Sequence, residues 1–147
     1  MSGPRRFEVL PEYPGAVPPR RATSAAAGYD LAAAADVLVA PGAVALIPSG
    51  VRAWMPQDEF LAIHIRSSVA IQRGLVLANG TGIIDADYAG SAANGGHIVM
   101  AVRNLGSAPV QVRRGERIAQ GLFLRYQTTA DDRPGPGRVG GLGSTRA

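Results

Sequence analysis

The chain has 147 residues, no cysteine and a net charge of +4. Its length fits a single domain with its own core, while the lack of cysteine excludes disulfides, thiolate metal sites and cysteine nucleophiles. The basic residues are all arginine, but they are scattered and not interleaved with aromatic residues, which argues against nucleic-acid binding.

Short apolar runs separated by turn residues predict a succession of strands. They cover residues 7–10, 37–39, 44–47, 51–55, 61–65, 75–77, 83–84, 98–102 and 118–124. Aromatic residues make up only 5% of the chain, so Val, Ile and Leu must fill the core, and 19 glycines and 11 prolines supply frequent turns. We therefore predict an all-β domain, either a barrel or a sandwich.

The single predicted helix follows Arg66-Ser67-Ser68 and covers about residues 69–73, before Gly74 ends it. The composition changes at residue 131, where Asp, Pro and Gly dominate. This change predicts a β domain over residues 1–130 and a flexible C-terminal arm over residues 131–147. No apolar run has membrane-spanning length and the first residues lack an apolar leader, so we expect a cytoplasmic protein that does not bind membranes.

Two segments carry groups that suit an anion. Arg66, Ser67 and Ser68 offer a guanidinium, two hydroxyls and backbone N–H groups at a helix start, although the same residues could simply cap the helix. The glycine-rich segment 140–145 could wrap its N–H groups and hydroxyls around phosphates, or it could be a disordered end.

Between these segments lie groups that suit a nucleoside and its hydrolysis. Asp85 ends an apolar run and could orient a water molecule as general base, and Tyr88 could stack on a sugar or base. Asp85 and Asp87 could instead mark a turn or bind a metal directly. Asn79 offers an acceptor and two donors for a pyrimidine edge, but it could equally be a turn-forming residue before Gly80.

Five segments follow one another in a characteristic order. They are Ala-Gly-Tyr-Asp-Leu (27–31), Arg-Ser-Ser (66–68), Gly-Ile-Ile-Asp-Ala-Asp-Tyr (82–88), Gly-Glu-Arg-Ile-Ala-Gln (115–120) and Gly-Gly-Leu-Gly-Ser-Thr (140–145). Together they resemble the five motifs of the trimeric dUTPases, from about residue 20 to the end of the chain. The resemblance implies a distorted jelly-roll, or β-clip, that forms a homotrimer. It also implies hydrolysis of dUTP to dUMP and pyrophosphate, which keeps uracil out of DNA and supplies dUMP for dTMP synthesis.

The resemblance further implies roles for particular residues. Asp85 would hold the water for in-line attack on the α-phosphorus, assisted by Gln120, and Tyr88 would pack on the deoxyribose and exclude a 2′-hydroxyl. Asn79, Gly82 and Val99 would read uracil. The phosphate contacts would come from Arg66, Ser67, Ser68 and Gln120, and from Arg138, Ser144 and Thr145 of an arm that closes a neighbouring subunit's site. Mg²⁺ would ride on the triphosphate, with Asp30 contributing through water.

The chain departs from the family's usual pattern at a few positions. Leu142 stands where a phenylalanine usually stacks on uracil, so we expect a weaker grip on the base. Residues 91–96 resemble an insertion, which we expect to carry any additional protein partner and to be dispensable for turnover.

Two other functions stay open. A dCTP deaminase shares the Arg-Ser-Ser motif but would need a glutamate on the strand after the central motif, which residues 97–102 lack. A non-catalytic regulator built on the same scaffold is the second alternative.

Overall fold

The computed structural model describes residues 3–138, and nearly all of its regular secondary structure is β-strand. The first six strands are β1 (Arg6–Val9), β2 (Arg20–Arg21), β3 (Tyr29–Ala32), β4 (Val37–Val39), β5 (Val44–Pro48) and β6 (Val51–Trp54). The others are β7 (Glu59–Ile65), β8 (Leu75–Leu77), β9 (Gly82–Asp85), β10 (Val99–Asn104), β11 (Val110–Val112) and β12 (Arg117–Arg125). Helix α1 (Ser67–Arg73) and a 3₁₀ helix (Tyr88–Gly90) complete the described part, so the all-β prediction is confirmed.

The strands form antiparallel sheets around one core. The largest sheet has the order β2-β3-β12-β7-β9, a second has the order β5-β10-β8, and the pairs β1-β6 and β4-β11 complete the set. Aliphatic side chains fill the centre, as the composition predicts; the largest fully buried ones include Leu31, Ile47, Leu61, Leu75, Ile98, Met100 and Ile118. Full burial of each such side chain contributes roughly 1.5–3 kcal/mol, so the core fixes how the sheets face each other.

Helix α1 begins at Ser67, two residues before the predicted start. Arg66 is the N-cap residue in an extended conformation, and Gly74 ends the helix with a left-handed φ of 65°. Glycine reaches this conformation without strain, which explains why the predicted end is confirmed. Within residues 3–138, no helix combines the length and apolar character that crossing a membrane requires.

Candidate active site

The outer face of the largest sheet carries a polar row. Gln120 on β12 lies directly opposite Asp30 on β3 and His64 on β7, and Arg20 on β2 lies opposite Asp30 on its other side. Directly opposite residues of an antiparallel sheet point to the same face. The sheet therefore brings together two candidate site residues, Asp30 and Gln120, that are far apart in the sequence.

Arg66 is held beside this row by contacts on two sides. Its Nε lies 3.5 Å from Oδ1 of Asp30, and its Nη1 donates to the carbonyl oxygen of Arg117 at 3.0 Å. Arg117 in turn donates from Nη1 to Oδ2 of Asp30 at 3.1 Å. Because the Asp30 side chain is only 11% exposed, this carboxylate anchors two guanidinium groups rather than facing open solvent.

Ser67 and Ser68 begin helix α1 next to Arg66, and both side chains are exposed. Arg66 provides no side-chain hydrogen bond that caps the helix. The two hydroxyls and the guanidinium are thus grouped at one end of β7, where they can donate hydrogen bonds to an anion.

Gly28 gives Gln120 the room it needs. A Cβ atom at position 28 would lie 2.5 Å from Oε1 and 3.1 Å from Cβ of Gln120. A side chain at position 28 would therefore displace the amide of Gln120 from this place. The amide is consequently confined between neighbouring strands.

The turn between β8 and β9, two strands that belong to different sheets, holds the residues predicted to read a base. Asn79 is exposed in a turn closed by hydrogen bonds from Gly80 N to Leu77 O (3.0 Å) and from Thr81 N to Asn79 O (2.8 Å). Gly82 packs closely on β7, because a Cβ there would be 3.0 Å from Cβ of Ile63.

Val99 lies near this turn, because its strand β10 pairs with β8 in the same sheet. The N–H of Ala78 donates to the carbonyl oxygen of Ala101 at 2.8 Å, beyond the pairing of Val102 with Leu77. Continuing this antiparallel register brings Val99, two residues earlier, alongside the turn. The three residues predicted to read uracil therefore belong to one region.

Asp85 ends β9 with a half-exposed side chain and is engaged by the C-terminal segment of the same chain. Arg138 donates from Nη2 to Oδ2 of Asp85 and from Nε to Oδ1 of Asp87, the latter at 3.0 Å. The guanidinium carbon of Arg138 also lies 5.5 Å from the centre of the Tyr88 ring. The hydrogen bond with Asp87, followed by the charges of both carboxylates, raises the pKa of Arg138.

The segment 134–138 encloses a cleft of about 540 Å³ over these carboxylates. Gln57, Glu59 and Tyr126 form the opposite wall. Glu59 is bound by Arg5 and its side chain is only 3% exposed, so its charge is compensated inside the protein.

The candidate residues of one chain thus form two separate groups. Asp85 lies opposite Phe60 on β7, whereas Gln120 lies opposite His64 on the other neighbour of that strand. Four residues along a strand and two strand spacings place their Cα atoms on the order of 15 Å apart. A single chain therefore does not bring the carboxylate at position 85 into contact with the phosphate-type donors.

Several contacts were not foreseen from the sequence. Arg117 donates to Asp30, and this contact follows from the pairing of β12 with β3, which the sequence does not show. Leu142, Ser144 and Thr145, predicted to contact substrate, lie outside the described residues. Among residues 3–138, no group of three or more His, Asp or Glu side chains is placed to hold a metal ion.

Comparison with known proteins adds to this geometry. The dUTPase family model matches residues 15–135. The deoxyuridine 5'-triphosphate nucleotidohydrolase of Lactococcus lactis is 42% identical over 147 residues, which covers 97% of this chain and 98% of that protein. The protein of the same description from Desulfitobacterium hafniense is 41% identical and covers 86% of this chain and 85% of its own length.

Solved structures give the same picture. The crystal structure of a dUTPase from Streptococcus mutans superposes with a TM-score of 0.82 at 38% identity, covering 84% of this chain and 98% of that one. A dUTPase of Staphylococcus bacteriophage 80alpha shares the fold with a TM-score of 0.74 at 21% identity, covering 92% of this chain and 98% of that one. The distorted jelly-roll implied by the sequence motifs is thereby confirmed.

Proposed function

The chain belongs to the dUTPase family and hydrolyses dUTP to dUMP and pyrophosphate, and we propose that Asp85 holds the water that attacks the α-phosphorus. One observation carries this assignment: Asp85 and the turn that holds Asn79 are at opposite ends of the short strand β9. Gly82 and Asp85 are about 10 Å apart along that strand, a span comparable with a nucleoside from its base to its first phosphate. A carboxylate placed there can accept a proton from the attacking water.

We propose that Arg66, Ser67, Ser68 and Gln120 bind the phosphates. The rigid guanidinium of Arg66 and the exposed hydroxyls beside it support this role. Phosphoryl transfer depends mainly on positioning and on neutralising charge at the phosphoryl oxygens, which such donors supply.

The other half of the site would recognise the nucleoside. Asn79 would read the uracil edge with the backbone near Gly82 and Val99, and the face of the Tyr88 ring would lie against the deoxyribose. The tight turn at Asn79 and the burial of Tyr88, which is 6% exposed, support a rigid wall that leaves little room for added groups.

We further propose that the reaction depends on Mg²⁺. This ion prefers phosphate oxygens and water with few protein ligands, so the triphosphate itself can carry it. Asp30 fits a contribution through water, because Arg66 and Arg117 already occupy its carboxylate oxygens directly. Bound to the triphosphate, Mg²⁺ would neutralise charge there.

The separation of the two groups supports a homotrimer with sites between subunits. A second copy would place Arg66, Ser67, Ser68 and Gln120 next to the Asp85 of the first. Exposed apolar side chains on β5, Val44 at 53% and Leu46 at 57%, support burial in such an assembly. The arm, residues 131–147, would then close a neighbour's site; Arg138 would leave Asp85 and Asp87 of its own chain and join Ser144 and Thr145 on the β- and γ-phosphates. We also propose that the protein is cytoplasmic. Its product would feed dTMP synthesis there, and its activity would keep uracil out of DNA.

Pyrophosphate release with Mg²⁺ from dUTP, dTTP, dCTP and UTP tests the proposal. We expect release from dUTP and a loss of roughly 10²–10⁴-fold in kcat for Asp85→Asn, the range expected for a general base. Asp36→Asn is the matched control, because this carboxylate is similarly exposed (58%) but is bound to Arg113 and lies outside both groups.

Other outcomes would redirect the assignment. Full activity of Asp85→Asn would remove the proposed role of that carboxylate. Ammonia release from dCTP would favour the deaminase. A folded assembly that turns over none of the four substrates would favour the non-catalytic regulator.

A further inference from the structure

The hydroxyl of Tyr88 is fully engaged inside the protein by the loop that follows it. Its Oη donates to the carbonyl oxygen of His97 at 2.7 Å and accepts a hydrogen bond from Nδ2 of Asn94 at 2.8 Å. A phenol has one proton to donate, and here that proton and an acceptor site are both used within the protein. The oxygen is therefore turned into the loop, while the guanidinium carbon of Arg138 lies 5.5 Å from the centre of the ring.

Asn94 is itself fixed by hydrogen bonds. Its Oδ1 accepts from the N–H of Gly96 at 3.1 Å, and its backbone carbonyl accepts from the N–H of His97 at 3.2 Å. Gly96 adopts a φ of 78°, and a Cβ there would lie 2.4 Å from Cα of Ala89. The loop thus folds back tightly onto the 3₁₀ helix that carries Tyr88.

The outer side of the loop is tied to β6 and to the N-terminal strand. Arg52 donates from Nη1 to the carbonyl oxygen of Gly95 at 3.2 Å, and its other nitrogens donate to the carboxylate of Glu8 at 2.7 and 3.1 Å. These hydrogen bonds from Arg52 are the main cause that lowers the pKa of Glu8 to about 2, so the pair stays charged at neutral pH. The loop is therefore held against β6 by a hydrogen bond instead of projecting freely.

We infer that Asn94 is a positioning residue that sets the sugar selectivity of the site by fixing the ring of Tyr88. This inference rests on the proposed function, in which that ring lies against the deoxyribose. Steric exclusion of one additional hydroxyl requires a wall that cannot retreat by the width of an oxygen atom. The ring pivots about its Cα–Cβ and Cβ–Cγ bonds, so a clamp at the far oxygen restricts it most effectively.

The same contacts bear on the expectation that residues 91–96 serve a protein partner. Ala92 and Ala93 are exposed, but Asn94, Gly95 and Gly96 face the protein. The sequence-based expectation that the loop is dispensable for turnover stays a prediction. If Asn94 fixes the ring of Tyr88, removing the loop would also lower the selectivity for dUTP over UTP.

A double-mutant cycle on the full-length chain tests the clamp. The variants are Asn94→Ala, Tyr88→Phe and the double mutant, with the exposed neighbour Ala92→Ser as matched control. The readout is kcat/KM for UTP divided by kcat/KM for dUTP, from pyrophosphate release at constant Mg²⁺, together with Tm for each variant.

We expect Asn94→Ala to raise this ratio by about 5-fold, the value of one hydrogen bond of ~1 kcal/mol. Tyr88→Phe should raise it at least as much, because it also removes the hydrogen bond to the carbonyl oxygen of His97. The double mutant should show no rise beyond that of Tyr88→Phe, which already breaks the bond with Asn94. Ala92→Ser should keep the wild-type ratio.

A lower Tm for Asn94→Ala with an unchanged ratio would overturn the inference and leave the residue a merely structural role. If Asn94→Ala does not fold, Tyr88→Phe decides alone, since it leaves the hydrogen bonds of Asn94 with Gly96 and His97 in place; an unchanged ratio overturns the inference. Absence of dUTP turnover in the wild type is a different result, which overturns the proposed function itself.

Discussion

Replacing Gly96 with alanine would place a methyl carbon 2.4 Å from Cα of Ala89 and 2.8 Å from the carbonyl oxygen of Tyr88. Both neighbours are backbone atoms, which cannot move aside as a side chain can. Two costs add: about 1–2 kcal/mol for a side chain at positive φ, and about 1–3 kcal/mol for the overpacking. We expect Gly96→Ala to lower the free energy of unfolding by about 2–5 kcal/mol.

Gly95→Ala separates these two costs. Gly95 has a similar φ of 64°, but the nearest side-chain atom to its Cβ would be Cδ2 of Leu10 at an ordinary 3.9 Å. This control should therefore lose only the conformational part, about 1–2 kcal/mol. At about 2–4 °C per kcal/mol for a chain of this size, Tm of Gly96→Ala should fall about 2–12 °C below that of Gly95→Ala.

Urea unfolding and thermal melts at one fixed protein concentration measure both variants, because the stability of an assembly depends on concentration. Equal losses of stability in the two variants would refute the reasoning, since they would mean that the loop does not press on the 3₁₀ helix. A selective loss in Gly96→Ala would support the tight return of the loop toward Tyr88.

Two further predictions concern protonation and the C-terminal segment. Burial lowers the pKa of His97, whose Nε2 accepts a hydrogen bond from the N–H of Gly50 at 2.9 Å. The unfolded chain therefore binds a proton at this residue more readily than the folded protein does. The stability present above about pH 6.5 should be lost as the pH falls through the lowered pKa. His97→Gln, which retains an acceptor without a titrating group, should abolish this step in urea unfolding; a persistent step would assign it elsewhere. Asp87→Ala removes a 3.0 Å partner of Arg138, whose side chain is 10% exposed, so tryptic cleavage after Arg138 should become several-fold faster by mass spectrometry. An unchanged rate would contradict the docking of this segment.

The apolar patterns of the sequence predicted the longer strands well. They failed for short strands that are stabilised by pairing with neighbouring strands. The alternation over 61–65 lies within β7, and the run 118–124 lies within β12. Strand β3 was not predicted, because its four residues include Asp30, whose charge is unfavourable in a strand until guanidinium groups surround it. Strand β2, two arginines long, has no local signal and exists only by pairing with β3.

The identities of the candidate residues were predictable from motifs, but their grouping was not. Asp30 and Gln120 are 90 positions apart in the sequence and become direct neighbours only through the register of β3 with β12. Asp85, on β9, lies opposite Phe60 of β7, four residues from His64, which lies opposite Gln120. No motif spacing encodes this displacement. Register is decided by which faces are buried, and that is a property of the whole core.

The glycines of the loop at 91–96 show why composition alone does not distinguish free chain from closely packed chain. A run of glycine is typical both of free chain and of chain that passes close to other backbone, since the missing Cβ permits either. Cβ atoms at Gly135 and Gly137 would meet nothing within 4 Å, whereas one at Gly96 would overlap the backbone of Ala89. A substitution would therefore be accommodated at Gly135 and Gly137 but not at Gly96. The same residue type occurs in open surroundings at one place and against backbone at another, and only the surrounding atoms distinguish the two.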